Sequence, residues 1–190
     1  MIDENNDPVH DSESLKKHMD GWDGDVFLEE LELSKRKTVL EIGVGTGRLA
    51  LKTAPQSYAF YGIDLSPKTI ERAKENLAGI EDVNLICGDF LTYEFDRTFD
   101  IIYSSLTFMH IKEKQAAIEK AARLLNEYGR FVLSIEKSQA TELEYGKRKI
   151  EIFPDRPETI VKIYGIRRTE EDQTKGNRVC VYHKRREKPA

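Results

Sequence analysis

Three glycines alternate with other residues just after an apolar run near residue 40. With a preceding acid they form the pattern E-x-G-x-G-x-G, at Glu41, Gly43, Gly45 and Gly47. Glycine adopts backbone conformations closed to other residues and lets a ligand approach the main chain closely. The pattern therefore predicts a ligand-binding turn between a strand and a helix, although a turn that merely needs glycine has the same letters.

The glycine turn alone leaves the ligand open, because residues 45–50 also fit G-x-G-x-x-A, the dinucleotide fingerprint. Asp64 ends the run SYAFYGID, where a carboxylate can accept hydrogen bonds from both ribose hydroxyls of either cofactor. Asp89 and Phe90 follow the run VNLICG, where an acid can accept from the adenine amino group while the aromatic ring flanks the base. A dinucleotide-dependent dehydrogenase has no general need of that second acid. The spacing therefore favours an S-adenosyl ligand.

His110 is the candidate for proton transfer. It follows the run FDIIYSSL, on the side where ligands gather at the carboxyl ends of parallel strands. An imidazole titrates near neutral pH and suits a general base, but a packed histidine at a helix start is the equal alternative. Tyr103 and Thr107 are weaker candidates. His18 and Trp22 are placed to cover the pocket, although a tryptophan more often anchors a core.

Strand-like and helical runs alternate between residues 37 and 137, which indicates a parallel sheet covered by helices on both faces. Ser66 and Pro67 are typical N-cap and first-turn residues. The predicted strands span 37–43, 57–64, 83–89, 99–106 and 130–137, and the predicted helices span 46–54, 66–80 and 112–129.

The two ends of the chain are read differently. Residues 1–36 are predicted to form a helical cap segment, with a helix near 24–33 that Asp23 caps, and residues 37–190 to form a single domain. TIVKIYGI and RVCVYHK predict a terminal antiparallel pair at the sheet edge, joined by the turn-rich EEDQTKGN. Residues 158–166 fit a strand or a helix.

Composition excludes several classes of protein. A net charge of −4 over 190 residues argues against a dedicated nucleic-acid binder, and the basic clusters at 147–149 and 184–186 are expected to be solvated. No apolar run approaches the roughly 20 residues that cross a bilayer, and the start of the chain lacks signal-peptide features, so a cytoplasmic protein is expected. Cys87 and Cys180 lie far apart in apolar runs, which predicts two reduced, buried thiols and no metal site.

Four motifs together resemble, in order and spacing, those of class I S-adenosylmethionine-dependent methyltransferases. They are VLEIGVGTG, YGIDLS, CGDF and FDIIYSSLTFMHI, and the resemblance covers about residues 37–137. It implies an α/β fold: a Rossmann-like three-layer sandwich with a mostly parallel seven-stranded sheet and an antiparallel terminal strand. The implied cofactor is S-adenosyl-L-methionine.

The resemblance also implies roles for individual residues. Glu41 would orient the glycine turn and the methionine amino group, Asp64 would hold the ribose, and Ser104 would lie beside the methyl donor. The implied cofactor-binding residues are Glu41, Gly43, Gly45, Gly47, Asp64, Leu65, Asp89, Phe90 and Ser104, with His110 as the catalytic candidate.

The stretch LTFMHI resembles members that act on small molecules, so the predicted activity is methyl transfer to a small-molecule acceptor. Enzymes that methylate amino groups of adenine, cytosine or glutamine through an Asn-Pro-Pro-aromatic motif carry it after the fourth strand. This sequence has Tyr103-Ser104-Ser105-Leu106 there, which argues against that activity. Two alternatives remain: an NAD(P)-linked oxidoreductase, and a protein that binds S-adenosylmethionine without catalysis.

Overall fold

A computed structural model describes residues 7–136, 140–145, 148–154, 166–173 and 177–184. They form one large sheet, a separate two-stranded hairpin and flanking helices. The helices are α1 (Glu13–Glu30), α2 (Ala50–Thr53), α3 (Pro67–Asn76) and α4 (Lys114–Leu124); the strands are β1 (Thr38–Ile42), β2 (Ala59–Asp64), β3 (Val83–Cys87), β4 (Phe99–Ser105), β5 (Leu125–Glu136), β6 (Glu142–Tyr145), β7 (Arg148–Glu151), β8 (Ile166–Gln173) and β9 (Asn177–Lys184).

The large sheet has the strand order β3-β2-β1-β4-β5-β9-β8. The first five strands are parallel to one another, and β9 is antiparallel to both β5 and β8. β8 therefore runs in the same direction as the first five strands, and β9 alone is reversed. The predicted mostly parallel sheet with an antiparallel terminal strand is confirmed.

Helices cover the sheet on both faces, because successive residues of a strand point to opposite sides. Leu40 of β1 belongs to a buried cluster with Ala121 of α4. Its neighbour Val39 belongs to a second buried cluster, with Phe27 of α1 and Ile70 of α3. The three-layer arrangement predicted from the alternating runs is therefore present.

The first four predicted strands begin and end within two residues of their expected bounds. α3 begins as expected, since the Ser66 side chain accepts a hydrogen bond from Thr69 N and Pro67 is the first helical residue. The helix predicted at 46–54 is shorter, with only α2 and a 3₁₀ turn at 54–56.

The helix predicted to end at residue 129 is too long. α4 ends at Leu124, and β5 begins at the next residue. Leu125 is buried and pairs with Phe99, and a register shift follows before Ile101 pairs with Arg130. The residues between them form a bulge in which Tyr128 has a positive φ of 63°. Burial of Leu125 in the sheet prevails over the helical pattern of the preceding residues.

The C-terminal pair is partly as predicted. RVCVYHK lies in β9, but its partner β8 spans 166–173 and includes the EEDQ that was assigned to the connector. β9 also lies between β5 and β8 rather than at the sheet edge. An edge strand accommodates charged residues, which explains why β8 lacks an apolar signature. The expected strand residues 159–165 lie outside the described residues.

The N-terminal segment also differs from expectation. α1 begins at Glu13, with Ser12 as its N-cap, and the chain breaks helical geometry at Gly24, where φ is 73°. Asp23 is therefore not an N-cap; its side chain is buried and bonds elsewhere. Phe27 is fully buried and belongs to a cluster with strand residues, although a boundary at residue 36 stays a prediction.

The cysteines are both free, and Cys180 is buried as expected. Cys87 is exposed, which corrects the prediction of two buried thiols, because β3 is an edge strand with a poorly covered end. Within the described residues, no helix has the length and apolar content that crossing a bilayer requires. The same residues contain no cluster of three or more metal-ligating side chains.

Candidate active site

A cavity of about 650 Å³ opens at the carboxyl ends of β1, β2 and β4 and beside the turn after β3. That volume is within the range of sites that enclose a small ligand. Eight of the ten predicted site residues line it: Glu41, Gly43, Gly45, Asp64, Leu65, Asp89, Phe90 and His110. Gly47 and Ser104 are not among the lining residues.

The glycine turn follows β1 with positive φ at all three alternating glycines, at 79° for Gly43, 57° for Gly45 and 94° for Gly47. A Cβ at Gly43 would lie 2.0 Å from the Thr107 side-chain oxygen, so only glycine fits there. Gly47 faces Leu77 at the end of α3, where a Cβ would lie 3.2 Å away. Gly47 therefore allows close packing of the turn against α3, and its contact with a ligand stays a prediction.

Asp64, the last residue of β2, binds the glycine turn directly. Its Oδ2 accepts a hydrogen bond from Gly45 N at 3.0 Å, and its Oδ1 accepts one from Ser66 N at 2.9 Å. These bonds fix the carboxylate at the cavity wall. Leu65 lies beside it with 61% of its surface exposed, which provides an apolar surface at the same place.

Asp89 and Phe90 follow β3 on the same side of the sheet. The exposed Asp89 accepts a hydrogen bond from Leu91 N at its Oδ1, 2.8 Å away, and its carbonyl oxygen accepts one from Tyr93 N at 2.8 Å. Phe90 is almost fully buried yet forms part of the cavity wall. A carboxylate and an aromatic ring therefore lie together where the sequence predicts an adenine site.

Glu41 is a buried acid in the floor of the cavity. Tyr103 donates a hydrogen bond to its Oε2 at 2.8 Å, and Thr53 lies 2.8 Å from the same tyrosine oxygen. Burial raises the pKa of Glu41 to about 8, against the opposing effects of the Tyr103 hydrogen bond and the Arg48 charge. Burial likewise raises the pKa of Tyr103 well above its usual value, so it remains a donor. A cation placed in the cavity would favour the ionised form of Glu41.

Ser104 does not face the cavity. It is fully buried and donates its hydroxyl hydrogen to Ile42 O at 2.8 Å, so it ties β4 to β1. The next residue, Ser105, lines the cavity instead and donates a hydrogen bond to Asp23. Neighbouring strand residues point to opposite faces, so an error of one position moves the side chain out of the site.

A contact between α1 and the helix after the glycine turn was missed from the sequence. Arg48 Nη2 lies 2.5 Å from Asp23 Oδ2, and Arg48 Nη1 donates to Met19 O at 3.2 Å. Lys52 also pairs with Asp20, at 2.6 Å. Residues so far apart in the chain leave no local pattern in the sequence. In the structure, the near-complete burial of Asp23 reflects its ion pair with Arg48.

These ion pairs fix α1 over the cavity, where Met19 forms part of the wall. His18 and Trp22, which were predicted to cover the pocket, contact each other with ring centroids 6.0 Å apart and do not line it. The cover is therefore correctly placed on α1, but the residue that provides it is Met19.

The end of β4 and the chain after it also line the cavity, at residues 105–107 and 110–113. His110 is exposed and ends a 3₁₀ turn, and its backbone nitrogen donates to Thr107 O. Ile150 of β7 lines the same cavity. Phe153 N donates to Met109 O at 2.7 Å, which holds the chain after β7 against this turn.

Comparison with known proteins agrees with this geometry. Residues 39–129 match the family model described as a methyltransferase domain. An uncharacterised methyltransferase of Bacillus cytotoxicus is 38% identical over 110 residues, which are 57% of this chain and 51% of that protein. The chain thus spans about half the length of the curated relatives it matches.

Solved structures show the same fold at low sequence identity. The N-methyltransferase NodS of Bradyrhizobium japonicum, in complex with S-adenosyl-L-homocysteine, has a TM-score of 0.72 and 19% identity, covering 96% of this chain and 94% of that one. A putative S-adenosylmethionine-dependent methyltransferase of Listeria monocytogenes has a TM-score of 0.76 and 15% identity, covering 88% and 100%.

The fold is Rossmann-like, and the cavity lies at the carboxyl ends of its strands, where the sequence predicts an adenosyl ligand. Over its glycine turn and first strands, the chain is similar to a methyltransferase domain and to the methyltransferases named above. The family match favours a methyl donor over a dinucleotide as the ligand of the glycine turn.

Proposed function

We propose that this protein transfers a methyl group from S-adenosylmethionine to a small-molecule acceptor. The observation that carries the proposal is the meeting of Glu41, Asp64 and Asp89 in one cavity, with the turn that ends at His110 lining its other end. S-adenosylmethionine, when bound, supplies a methyl group already activated by a sulfonium. The protein's task is then to position the reactants, exclude water and accept a proton where one is released.

The adenosine end of the cavity fits that cofactor residue by residue. The Asp64 carboxylate is held at the wall by two backbone N–H groups and suits the ribose hydroxyls. Asp89 suits the adenine amino group, with Phe90 and Leu65 as apolar surfaces for the base. Glu41 lies beside the glycine turn, where its carboxylate would be favoured by the positive amino and sulfonium groups of the methionine part.

The acceptor end supports a small molecule. The cavity measures about 650 Å³, and the part of its wall that remains for an acceptor, once the cofactor residues are assigned, includes Ile150 and the chain from His110 to Glu113. His110 lies at this end with an exposed side chain, in a position to take a proton from an acceptor.

Isothermal titration tests the cofactor. We expect measurable affinity for S-adenosylhomocysteine and none for NADH; NADH binding without S-adenosylhomocysteine binding would overturn the proposal. Incubation with methyl-labelled donor and a panel of small amines, phenols, thiols and carboxylic acids tests catalysis. Binding without label transfer to any acceptor would favour the second candidate, a non-catalytic S-adenosylmethionine-binding protein.

Replacing His110 with Gln separates proton transfer from binding. We expect turnover to fall by about 10²–10⁴-fold, with unchanged affinity for S-adenosylhomocysteine. His18→Gln is the matched control, because His18 is exposed and lies outside the cavity lining. Full activity of His110→Gln would assign His110 a packing role.

A further inference from the structure

A buried lysine lies behind the wall of the cavity at its adenine end. Lys120 of α4 is 7% exposed, and its Nζ donates to Leu91 O at 3.2 Å and to Tyr93 O at 2.5 Å. The same atom lies 5.6 Å from the centroid of the Phe90 ring and 6.0 Å from that of Phe95. Burying an ammonium is costly unless it is well paired, and carbonyl oxygens with aromatic faces provide that pairing here.

The two carbonyl groups bound by Lys120 belong to the turn that carries Asp89. The backbone nitrogen of Leu91 donates to the Asp89 carboxylate, and that of Tyr93 donates to the Asp89 carbonyl. Leu91 and Tyr93 therefore each hydrogen-bond to both residues. Their N–H groups donate to Asp89, and their C=O groups accept from Lys120. The position of the Asp89 carboxylate depends on these two residues.

We infer that Lys120 is a positioning residue that sets the preference of this site for adenine. It holds the turn so that Asp89 presents an acceptor to the amino group of the base while Phe90 stays in the wall. The inference rests on the proposed function, because the position of this turn matters only if a nucleoside binds against it. Hypoxanthine, which has a carbonyl in place of the amino group, lacks the donor that a fixed Asp89 would select.

The same helix carries a second lysine with comparable chemistry, beside the turn after β4. Lys114 Nζ donates to Phe108 O at 2.6 Å, in the turn that leads to His110. Lys114 and Lys120 therefore each bind a backbone carbonyl of a different turn. Lys114 is the matched control, since its replacement removes the same kind of contact without touching the adenine end.

The test uses the full chain and two ligands, S-adenosylhomocysteine and its hypoxanthine analogue S-inosylhomocysteine. Titration of Lys120→Met should show S-adenosylhomocysteine binding weakened about tenfold. The ratio of the affinity for S-adenosylhomocysteine to that for S-inosylhomocysteine should fall by a similar factor. Lys120→Arg, which keeps the charge and the donors, should restore this ratio. Lys114→Met should leave both affinities at their wild-type values.

Three outcomes would overturn the inference. The first is an unchanged affinity of Lys120→Met, the second is an equal loss for both ligands, which a merely structural role would give, and the third is the same change in Lys114→Met. If circular dichroism shows that Lys120→Met is unfolded, Lys120→Gln replaces it with the same expectation. Failure of the wild-type protein to bind S-adenosylhomocysteine would instead contradict the proposed function.

Discussion

The two ends of the cavity are built in different ways. At the end proposed for adenosine, Asp64 is the last residue of β2 and Asp89 lies just beyond β3. Each carboxylate is fixed by backbone N–H groups a few residues away or in the neighbouring turn. At the acceptor end, the wall combines α1, the turn after β4 and the β6–β7 hairpin. The adenosine end therefore follows from the order of the strands, whereas the acceptor end depends on contacts between distant segments.

This difference has a physical origin. Parallel strands bring their carboxyl ends to one edge of the sheet, so residues just after them meet whatever the rest of the chain does. The acceptor end has no such rule. It relies on the Asp23–Arg48 ion pair and on the hydrogen bond from Phe153 N to Met109 O, each between residues far apart in sequence.

The largest effect on ligand binding is expected at Gly43, where the glycine turn contacts Thr107 in the chain after β4. Gly43→Ala places a Cβ 2.0 Å from the Thr107 oxygen, at a φ of 79° that disfavours side chains. We expect S-adenosylhomocysteine binding to fall below detection by titration, together with a lower melting temperature. Gly79→Ala is the control, because a Cβ there meets nothing within 4 Å. Normal binding by Gly43→Ala would show that the ligand lies elsewhere.

Asp64→Ala tests the adenosine end alone. Loss of an ionised acceptor for two ribose hydroxyls should weaken S-adenosylhomocysteine binding about 100-fold, since hydrogen bonds to charged groups contribute about 1.5–3 kcal/mol each. The measurement is again titration, with Asp96→Ala as a control at an exposed carboxylate that pairs with Arg97. An unchanged affinity would contradict the ribose role of Asp64.

Glu41→Gln tests the buried acid through its pH dependence. The pKa of Glu41 is raised by burial to about 8 from 4.5, so between these values the unfolded chain loses a proton that the folded protein keeps. Stability of the ligand-free protein therefore falls as pH rises from about 4.5 to 8. Glu41→Gln removes this proton uptake, and its stability relative to wild type should rise by on the order of 3 kcal/mol between pH 5 and 8.

Urea unfolding at pH 5, 6.5 and 8 measures this difference for Glu41→Gln and the wild type. Gln keeps an oxygen that accepts from Tyr103, so the hydrogen bond seen at 2.8 Å is preserved and the proton is the only intended change. If the free energies of unfolding of the two proteins changed equally with pH, the pKa of Glu41 would not be raised in the folded protein.

The smallest effect is expected at the acceptor end. Ile150→Ala removes part of an apolar wall contributed by β7, and we expect the KM for the acceptor to rise about three- to fivefold. The affinity for S-adenosylhomocysteine should not change, because the adenosine end does not include the hairpin. Lys149→Ala, which alters an exposed residue of the same strand, is the control. Equal losses in both measurements would mean that the two ends are not separable.

The sequence predicts the position of a candidate site residue best where that position follows from the order of the strands. Asp64, Asp89 and Phe90 line the cavity as expected, because each lies at or just after the end of a strand that an apolar run makes visible. Ser104 was misplaced by one residue, since the run shows where a strand lies but not which of two adjacent side chains faces the ligand. Because side chains alternate between the two faces of a strand, an error of one residue moves the predicted side chain to the wrong face.

The remaining errors concern residues whose partners are distant. Asp23 has the local context of a helix cap, but its carboxylate pairs with Arg48 and receives a hydrogen bond from Ser105. β8 has the composition of a connector, and its pairing with β9 is what makes it a strand. In both cases the deciding interaction is tertiary, and no window of sequence around the residue contains it.

The position of β9 has a consequence for how the protein is made. β9 is the last described strand in the chain, yet it lies inside the sheet, and its residues 179–182 are fully buried. During synthesis β5 therefore presents an unpaired, apolar edge until residues 177–184 have left the ribosome. The sheet therefore cannot close one strand at a time as the chain emerges, and its central edge is completed only when β9 pairs with β5.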